Sequence, residues 1–313
     1  MSQAGLELAE SIADIYASNP NVRAVIAGGS VSRGHADGYS DLEIGVFWKS
    51  RPTDEERKEA ISRIGGEIWM FDDYTGSKAS EHLGMSETTV GSKRYVGSLM
   101  VAPNHVTVET AEQWIDALID DLDTTPRNYE LASAIRYALP LYGHDLVEQW
   151  KQKVSSFPTK LSVKLVQRNL WLGPWFNWTA YAQREDHLVL VQHLIWMQQR
   201  IVDVLAALNR EYVPSPEYKW VHRLIDGVEL KPTDCASRLR ATFATDDIMG
   251  ATRGLIELGL EVIDLVEKHL PEVNEMSLVD DHPEINTSWA RQRWAPESPY
   301  TLLTEIAHNE GHS

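Results

Sequence analysis

The sequence predicts an α+β protein, an N-terminal domain built on a mixed sheet followed by an all-α helical bundle. Three observations carry this reading. Up to Thr110, short apolar runs with period-two alternation interleave with helical stretches, giving about five strands. After Thr110 the apolar residues recur at three- and four-residue spacing, as on one face of a helix. Between the first two strand patterns, Gly28-Gly29-Ser30 interrupts an apolar run, a place where the backbone can turn sharply.

The elements follow in order. Leu8, Ile12, Ile15 and Tyr16 share one helical face, and Asn19-Pro20 stops that helix. Val22 to Ala27 reads as a strand, and Asp41 to Trp48 as a second that ends at Arg51-Pro52. Thr53 with Glu56 three residues on is a capping-box pattern, and Gly65-Gly66 ends the helix it starts. Glu67 to Phe71 is a third strand. Residues Asp72 to Lys93 are polar and bear Gly and Ser, which predicts a loop. Tyr95 to Ala102 and His105 to Thr110 read as a hairpin turned at Pro103-Asn104. Helices are then expected over Ala111–Leu122, Asn128–Leu139, Asp145–Val154, from Pro158 to a break at Gly173-Pro174, His187–Asn209 and about Asp247–His269. From Pro271 the chain reads as an irregular tail. The implied domains are residues 1–125, 126–275 and a tail over 276–313.

Composition narrows the function. Net charge is −17, so a general basic footprint for extended nucleic acid is absent. The one cysteine, Cys235, cannot form an internal disulfide and suits a reducing compartment. No signal-like or membrane-length apolar run is present, so the expected location is cytoplasmic.

Chemistry concentrates in Val25–Gly34 and Tyr39–Phe47. The glycine pair permits close approach of a ligand, and Ser30 falls where a helix N-cap and an anion would meet. On the following strand Leu42, Ile44, Val46 and Trp48 share one face, and Asp41, Glu43, Gly45 and Phe47 the other. Two carboxylates two positions apart on a strand lie roughly 6.5–7 Å apart by the strand rise. A divalent cation relieves their repulsion, and hard oxygen ligands favour Mg²⁺.

Gly28-Gly29-Ser30, a spacer and Asp41-x-Glu43 within an apolar strand resemble the signature of the polymerase-β-type nucleotidyltransferases. Arg33-Gly34 and Tyr39-Ser40 look most like the small-molecule members that modify aminoglycoside and lincosamide antibiotics. The resemblance implies a nucleotidyltransferase domain followed by a helical domain, an active site in the cleft between them, Mg²⁺, and ATP or another NTP as co-substrate. It assigns Asp41 and Glu43 to the metal, and Gly29, Ser30 and Arg33 to the nucleotide phosphates. It also implies a third carboxylate from a later strand. Glu109 is the first choice, Thr107 shares its face and could hold the position instead, and Glu67 is weaker.

In the helical half Lys164, Arg168, Arg184 and Lys219 are candidate phosphate clamps, each alone more often a solvated helix charge; Lys219, after a Pro-rich loop and before Trp220, is the best of them. Glu185-Asp186 is most simply an acidic cap of the long helix. Trp171, Trp175 and Trp178 share a helical face, as bundle core or as an acceptor pocket, and His187 and His193 read as structural or surface residues. The expected reaction moves a nucleoside monophosphate, AMP from ATP, to a hydroxyl of a small molecule, with nucleotide and acceptor as partners, no membrane and a homodimer as a candidate assembly. The alternatives are a nucleotidyltransferase acting on a protein or RNA partner, as in toxin–antitoxin pairs, and a non-catalytic nucleotide sensor.

Overall fold

The computed structural model describes residues 3–74, 76–90, 93–170, 181, 184–213 and 218–294. They form two compact units, one ending at Phe157 and one beginning at Pro158. The fold class is α+β, as expected: a six-stranded mixed sheet in the first unit and helices in the second.

The strands of the first unit are β1 (Val22–Ala27), β2 (Leu42–Trp48), β3 (Glu67–Phe71), β4 (Lys78–Val90), β5 (Lys93–Thr107) and β6 (Leu139–Tyr142). Their order is β3-β4-β5-β2-β1-β6. β2 and β5 run parallel, and the other neighbours are antiparallel. The helices are α1 (Gln3–Ala17), α2 (Gly29–Ser32), α3 (Asp54–Ile64), α4 (Val108–Ile119), α5 (Pro126–Tyr137) and α6 (His144–Ser155).

Period-two alternation decides which face is which. Val25, Ala27, Leu42, Ile44, Val46 and Trp48 are buried together with Leu8, Ile12 and Tyr16 of α1 and Ile61 and Ile64 of α3. Ile26, Glu43, Gly45 and Phe47 take the opposite face. That face is closed at its Phe47 end, where the ring meets Trp150 of α6 edge-on at 4.8 Å between centroids. Glu43 and Gly45 remain half-buried.

The capping box at Thr53 and Glu56 forms, and Gly65 ends α3 at φ 81°. Four expectations are corrected. The polar stretch expected as a loop is mostly β4, which pairs with β5 along its length. Its polarity misled because one of its polar residues, Glu81, is buried and satisfied by an arginine. The expected turn at Pro103-Asn104 is interior to β5, and the β4 ladder skips Ala102 and Pro103, where proline has no N–H to give. The expected strand over Val108–Glu109 is the start of α4, because the Thr107 hydroxyl accepts from Thr110 N at 3.2 Å and caps a helix there. Residues 126–157 belong to the first unit rather than the second, since β6 pairs with β1 and carries α5 and α6 with it.

The second unit contains α7 (Thr159–Leu170), α8 (His187–Leu208), α9 (Val221–Gly227), α10 (Cys235–Ala241), α11 (Ile248–His269), a 3₁₀ turn (Pro271–Asn274) and α12 (Thr287–Trp294). The long helices match the predicted periodicity. α9, α10 and α12 are too short to show a period, and α12 lies in the expected irregular tail. The part of that tail up to Trp294 is tied down. Gln167 of α7 donates to the carbonyls of Val273 and Met276 at 3.0 and 2.6 Å, and the Trp294 ring lies on Gly259 of α11. Trp171, Trp175 and Trp178 lie outside the described residues. No helix among the described residues is long and apolar enough to cross a membrane.

Candidate active site

The site is built on the turn between β1 and α2 and on the first residues of β2. Ala27 pairs with Ile44, so the two strands bring the glycine turn alongside Glu43. Gly28 N–H donates to the Glu43 carbonyl at 3.0 Å and fixes that junction. Gly29 has φ 60°, a left-handed value that favours glycine. A Cβ there would lie 2.7 Å from Glu43 Cδ and 2.8 Å from its Oε2. At Gly28 the same atom would stand 3.6 Å from Oε2, an ordinary contact. Gly29 is therefore what allows the carboxylate to rest against the turn.

Ser30 is the second residue of α2. Gly28 holds the N-cap position, so the hydroxyl does not cap the helix as expected. Instead Ser30 Oγ is buried and makes no hydrogen bond among the described residues. Such a group costs free energy unless a ligand or water meets it. Asp41 immediately precedes β2 and is half-buried. Asp37 and Ser40 tie the loop before it, Ser40 Oγ donating to Asp37 Oδ1 at 3.1 Å, and Tyr39 at its tip is fully exposed.

Arg33, which the resemblance assigns to the nucleotide phosphates, is engaged by α5. Its guanidinium donates to Ser133 Oγ at 3.0 Å and lies 3.9 Å above the Tyr137 ring, both on α5. It anchors the end of the glycine turn.

Glu109 is not brought to Asp41 and Glu43. It is exposed on the first turn of α4, within 3.5 Å of Gln113 Nε2. β5 runs parallel to β2 with Ala102 beside Glu43 and Thr107 beside Trp48. Glu109 thus lies about 16 Å or more along the sheet from the level of Glu43. Thr107 is at that same far end. Glu67 begins the edge strand β3, three strands from β2. On the Glu43 face, β5 places Ala102 beside Glu43, Asn104 beside Gly45 and Val106 beside Phe47. Asp41 and Glu43 are the residues here whose hard oxygens could hold a divalent ion, and the described residues contain no group of three or more His, Cys, Asp or Glu able to hold a metal.

In the second unit Lys219 is exposed in the turn before α9, between Tyr218 and Trp220 at φ 54° and 59°. Lys164 and Arg168 lie on α7, and Arg184 is exposed ahead of α8. Asp186 occupies the N-cap of α8 without a side-chain cap bond. His193 stacks on Tyr181 at 5.3 Å, and burial lowers its pKa, the structural role expected of it.

Two polar clusters escaped the sequence reading. Tyr218 OH donates to Asp203 Oδ2 of α8 at 2.8 Å, and burial pushes that carboxyl up to about 6, against the pull of Tyr218, Arg200 and Arg168. An aspartate inside the apolar run Ile201-Val202-Asp203-Val204-Leu205 was the available signal. In the first unit Trp48 Nε1 donates to His105 Nδ1 at 3.0 Å, which leaves the ring hydrogen on Nε2 to meet Glu81 Oε2 at 2.5 Å. Arg57 donates to Glu81 Oε1 at 2.7 Å, and both side chains are fully buried.

No protein-family model matches the chain, and no curated protein is similar to it in sequence. Among solved structures it is similar to a nucleotidyltransferase-like protein from Exiguobacterium sibiricum 255-15, at 13% identity and a TM-score of 0.35, over 86% of this chain and 80% of that one.

Proposed function

We propose that this protein transfers a nucleoside monophosphate, AMP from ATP, to a hydroxyl of a small molecule, with Mg²⁺ held by Asp41 and Glu43. One observation carries the reading: the Glu43 carboxylate rests on a glycine backbone that has no room for a Cβ, one residue from a buried, unpartnered serine hydroxyl.

The residues fit the group. Asp41 and Glu43 would present oxygens to the ion, and Mg²⁺ when bound would offset the negative charge of the nucleotide phosphates. Gly29 leaves the backbone open to a phosphate, and Ser30 Oγ has a hydrogen to give to a phosphate oxygen. The acceptor oxygen forms its bond to the α-phosphorus as the bond to pyrophosphate breaks, and the acceptor proton passes to solvent. This is chemistry in which the protein contributes mainly position and charge. The net charge of −17 favours a cationic acceptor, such as an aminoglycoside, by weak steering.

A second reading, a nucleotide sensor, is favoured by the side chains of β5. Ala102 and Asn104 stand on the Glu43 face, and neither can take a proton from an acceptor.

The test is a mass-spectrometric screen of purified protein with Mg²⁺, each of the four NTPs, hydroxylated antibiotics and a metabolite extract. A nucleotide adduct that vanishes in Asp41→Asn supports transfer. Mg²⁺-dependent nucleotide binding with no adduct supports the sensor. Label on the protein itself or on an added macromolecule contradicts the small-molecule assignment.

A further inference from the structure

We infer that the indole ring of Trp69 is the platform on which the base of the bound nucleotide stacks. The inference rests on the nucleotide-binding reading above and deepens it, by assigning the part of the site that meets the base.

Trp69 lies on β3, an edge strand of the sheet. The ladder with β4 pairs Ile68 with Leu83 and Met70 with His82, so Trp69 is the extra residue of a bulge. A bulge re-aims a side chain. Here the ring rests on Gly84 of β4, where a Cβ would fall against its Cε2, Cζ2 and Nε1 atoms. Three neighbouring ring atoms over one Cα mean that the ring lies flat on the sheet. The indole N–H donates to Glu67 Oε2 at 3.4 Å and fixes its orientation. The other ring face is open, and Trp69 is 59% exposed.

The register shows which face of the sheet this is. Val101 is in the core and pairs with Leu42 on one side and Leu83 on the other. Met100 and Ala102 flank it and take the opposite face, where Ala102 stands beside Glu43. Gly84 pairs with Met100, so the Trp69 ring lies on the Glu43 face. Met100 precedes Val101 as Asp41 precedes Leu42, and the two strands are parallel. Gly84 is therefore level with the start of β2 and two strand spacings away, about 10 Å across the sheet. A nucleotide held by its phosphates at Ser30 and the Asp41–Glu43 pair has its ribose to cover that gap and its base to lay on the indole. A base is what an open aromatic face fits, because stacking needs a π-face and no hydrogen-bond partner.

The experiment is a calorimetric titration of the full chain in Mg²⁺. It compares a non-hydrolysable ATP analogue with inorganic tripolyphosphate, which carries the phosphates and no base. Thermal melts confirm that each variant is folded. Trp69→Ala is expected to weaken the ATP analogue roughly tenfold and to leave tripolyphosphate unchanged. Gly84→Ala, which displaces the ring without removing it, is expected to act in the same direction, and Trp69→Phe to keep most of the affinity. Ile68→Ala, adjacent on the strand but paired with Leu83 of the core, is expected to change neither ligand. An undiminished affinity for the ATP analogue in Trp69→Ala, or an equal fall for both ligands, overturns the inference and leaves the nucleotide-binding reading standing. No binding of either ligand by the wild type overturns that reading itself.

Discussion

Gly29 and Glu43 are in contact across the β1–β2 junction, and a methyl group on Gly29 would lie 2.7 Å from the Glu43 carboxyl carbon. The substitution Gly29→Ala meets two obstacles, a left-handed φ of 60° and the carboxylate itself. The backbone cost is about 1–2 kcal/mol, while displacement of Glu43 is expected to weaken Mg²⁺-dependent ATP binding by at least about tenfold. Gly28→Ala is the internal control, because its Cβ would lie 3.6 Å from Glu43 and its φ is −115°. Calorimetric titration of both variants checks this, and equal effects at the two positions would contradict it.

Arg57 and Glu81 form a fully buried ion pair that His105 and Trp48 extend. Removing one partner leaves a charge without compensation. Arg57→Met is expected to cost about 3–5 kcal/mol, a fall in melting temperature of about 6–20 °C for a unit of this size. Arg57→Met with Glu81→Leu is expected to recover part of that loss, since an apolar pair replaces the buried charges. Thermal melts of the single and double variants decide it, and additive losses would count against the pairing.

Asp203 predicts a pH dependence of stability in the second unit. Its carboxyl is held up at about 6 in the folded state, against 3.8 for an unperturbed aspartate. The folded chain therefore keeps this proton to higher pH than the unfolded one. The penalty is absent below about pH 4, grows as pH rises through that window, and is complete above about 6. Asp203→Asn, which still accepts from Tyr218, is expected to raise stability at pH 7.5 by about 1–3 kcal/mol and to leave it unchanged near pH 4. Chemical denaturation at the two pH values measures the difference, and an equal effect at both would show that burial of the charge is not the cause.

How far the sequence could be read depended on the range of the forces involved. Thr53 with Glu56, Gly65 and the alternation of Leu42, Ile44, Val46 and Trp48 are local signals, and each formed as expected. β4 was invisible because Glu81 looks like a loop residue until Arg57, 24 positions away, is placed beside it. β5 was cut at Pro103 because a proline reads as a turn, and only the register with β4 shows that its N–H is not needed. The site divides the same way. The approach of Gly29 to Glu43 was legible from spacing, and the β1–β2 register brings the two together. The contacts of Arg33 were not, since its partners Ser133 and Tyr137 are about a hundred residues distant. Glu109 was misplaced by a three-residue error in where β5 ends, which put it on a strand when it lies on the exposed first turn of α4.

The most direct measurement is ATP binding by calorimetry, with and without Mg²⁺, in the wild type and in Glu43→Gln. The substitution removes the charge and leaves the shape, so the melting temperature is expected to move by no more than a few degrees. Binding is expected to require Mg²⁺ in the wild type and to weaken at least about a hundredfold in Glu43→Gln. ATP binding that needs no Mg²⁺, or that survives the substitution undiminished, would contradict the assignment of this site.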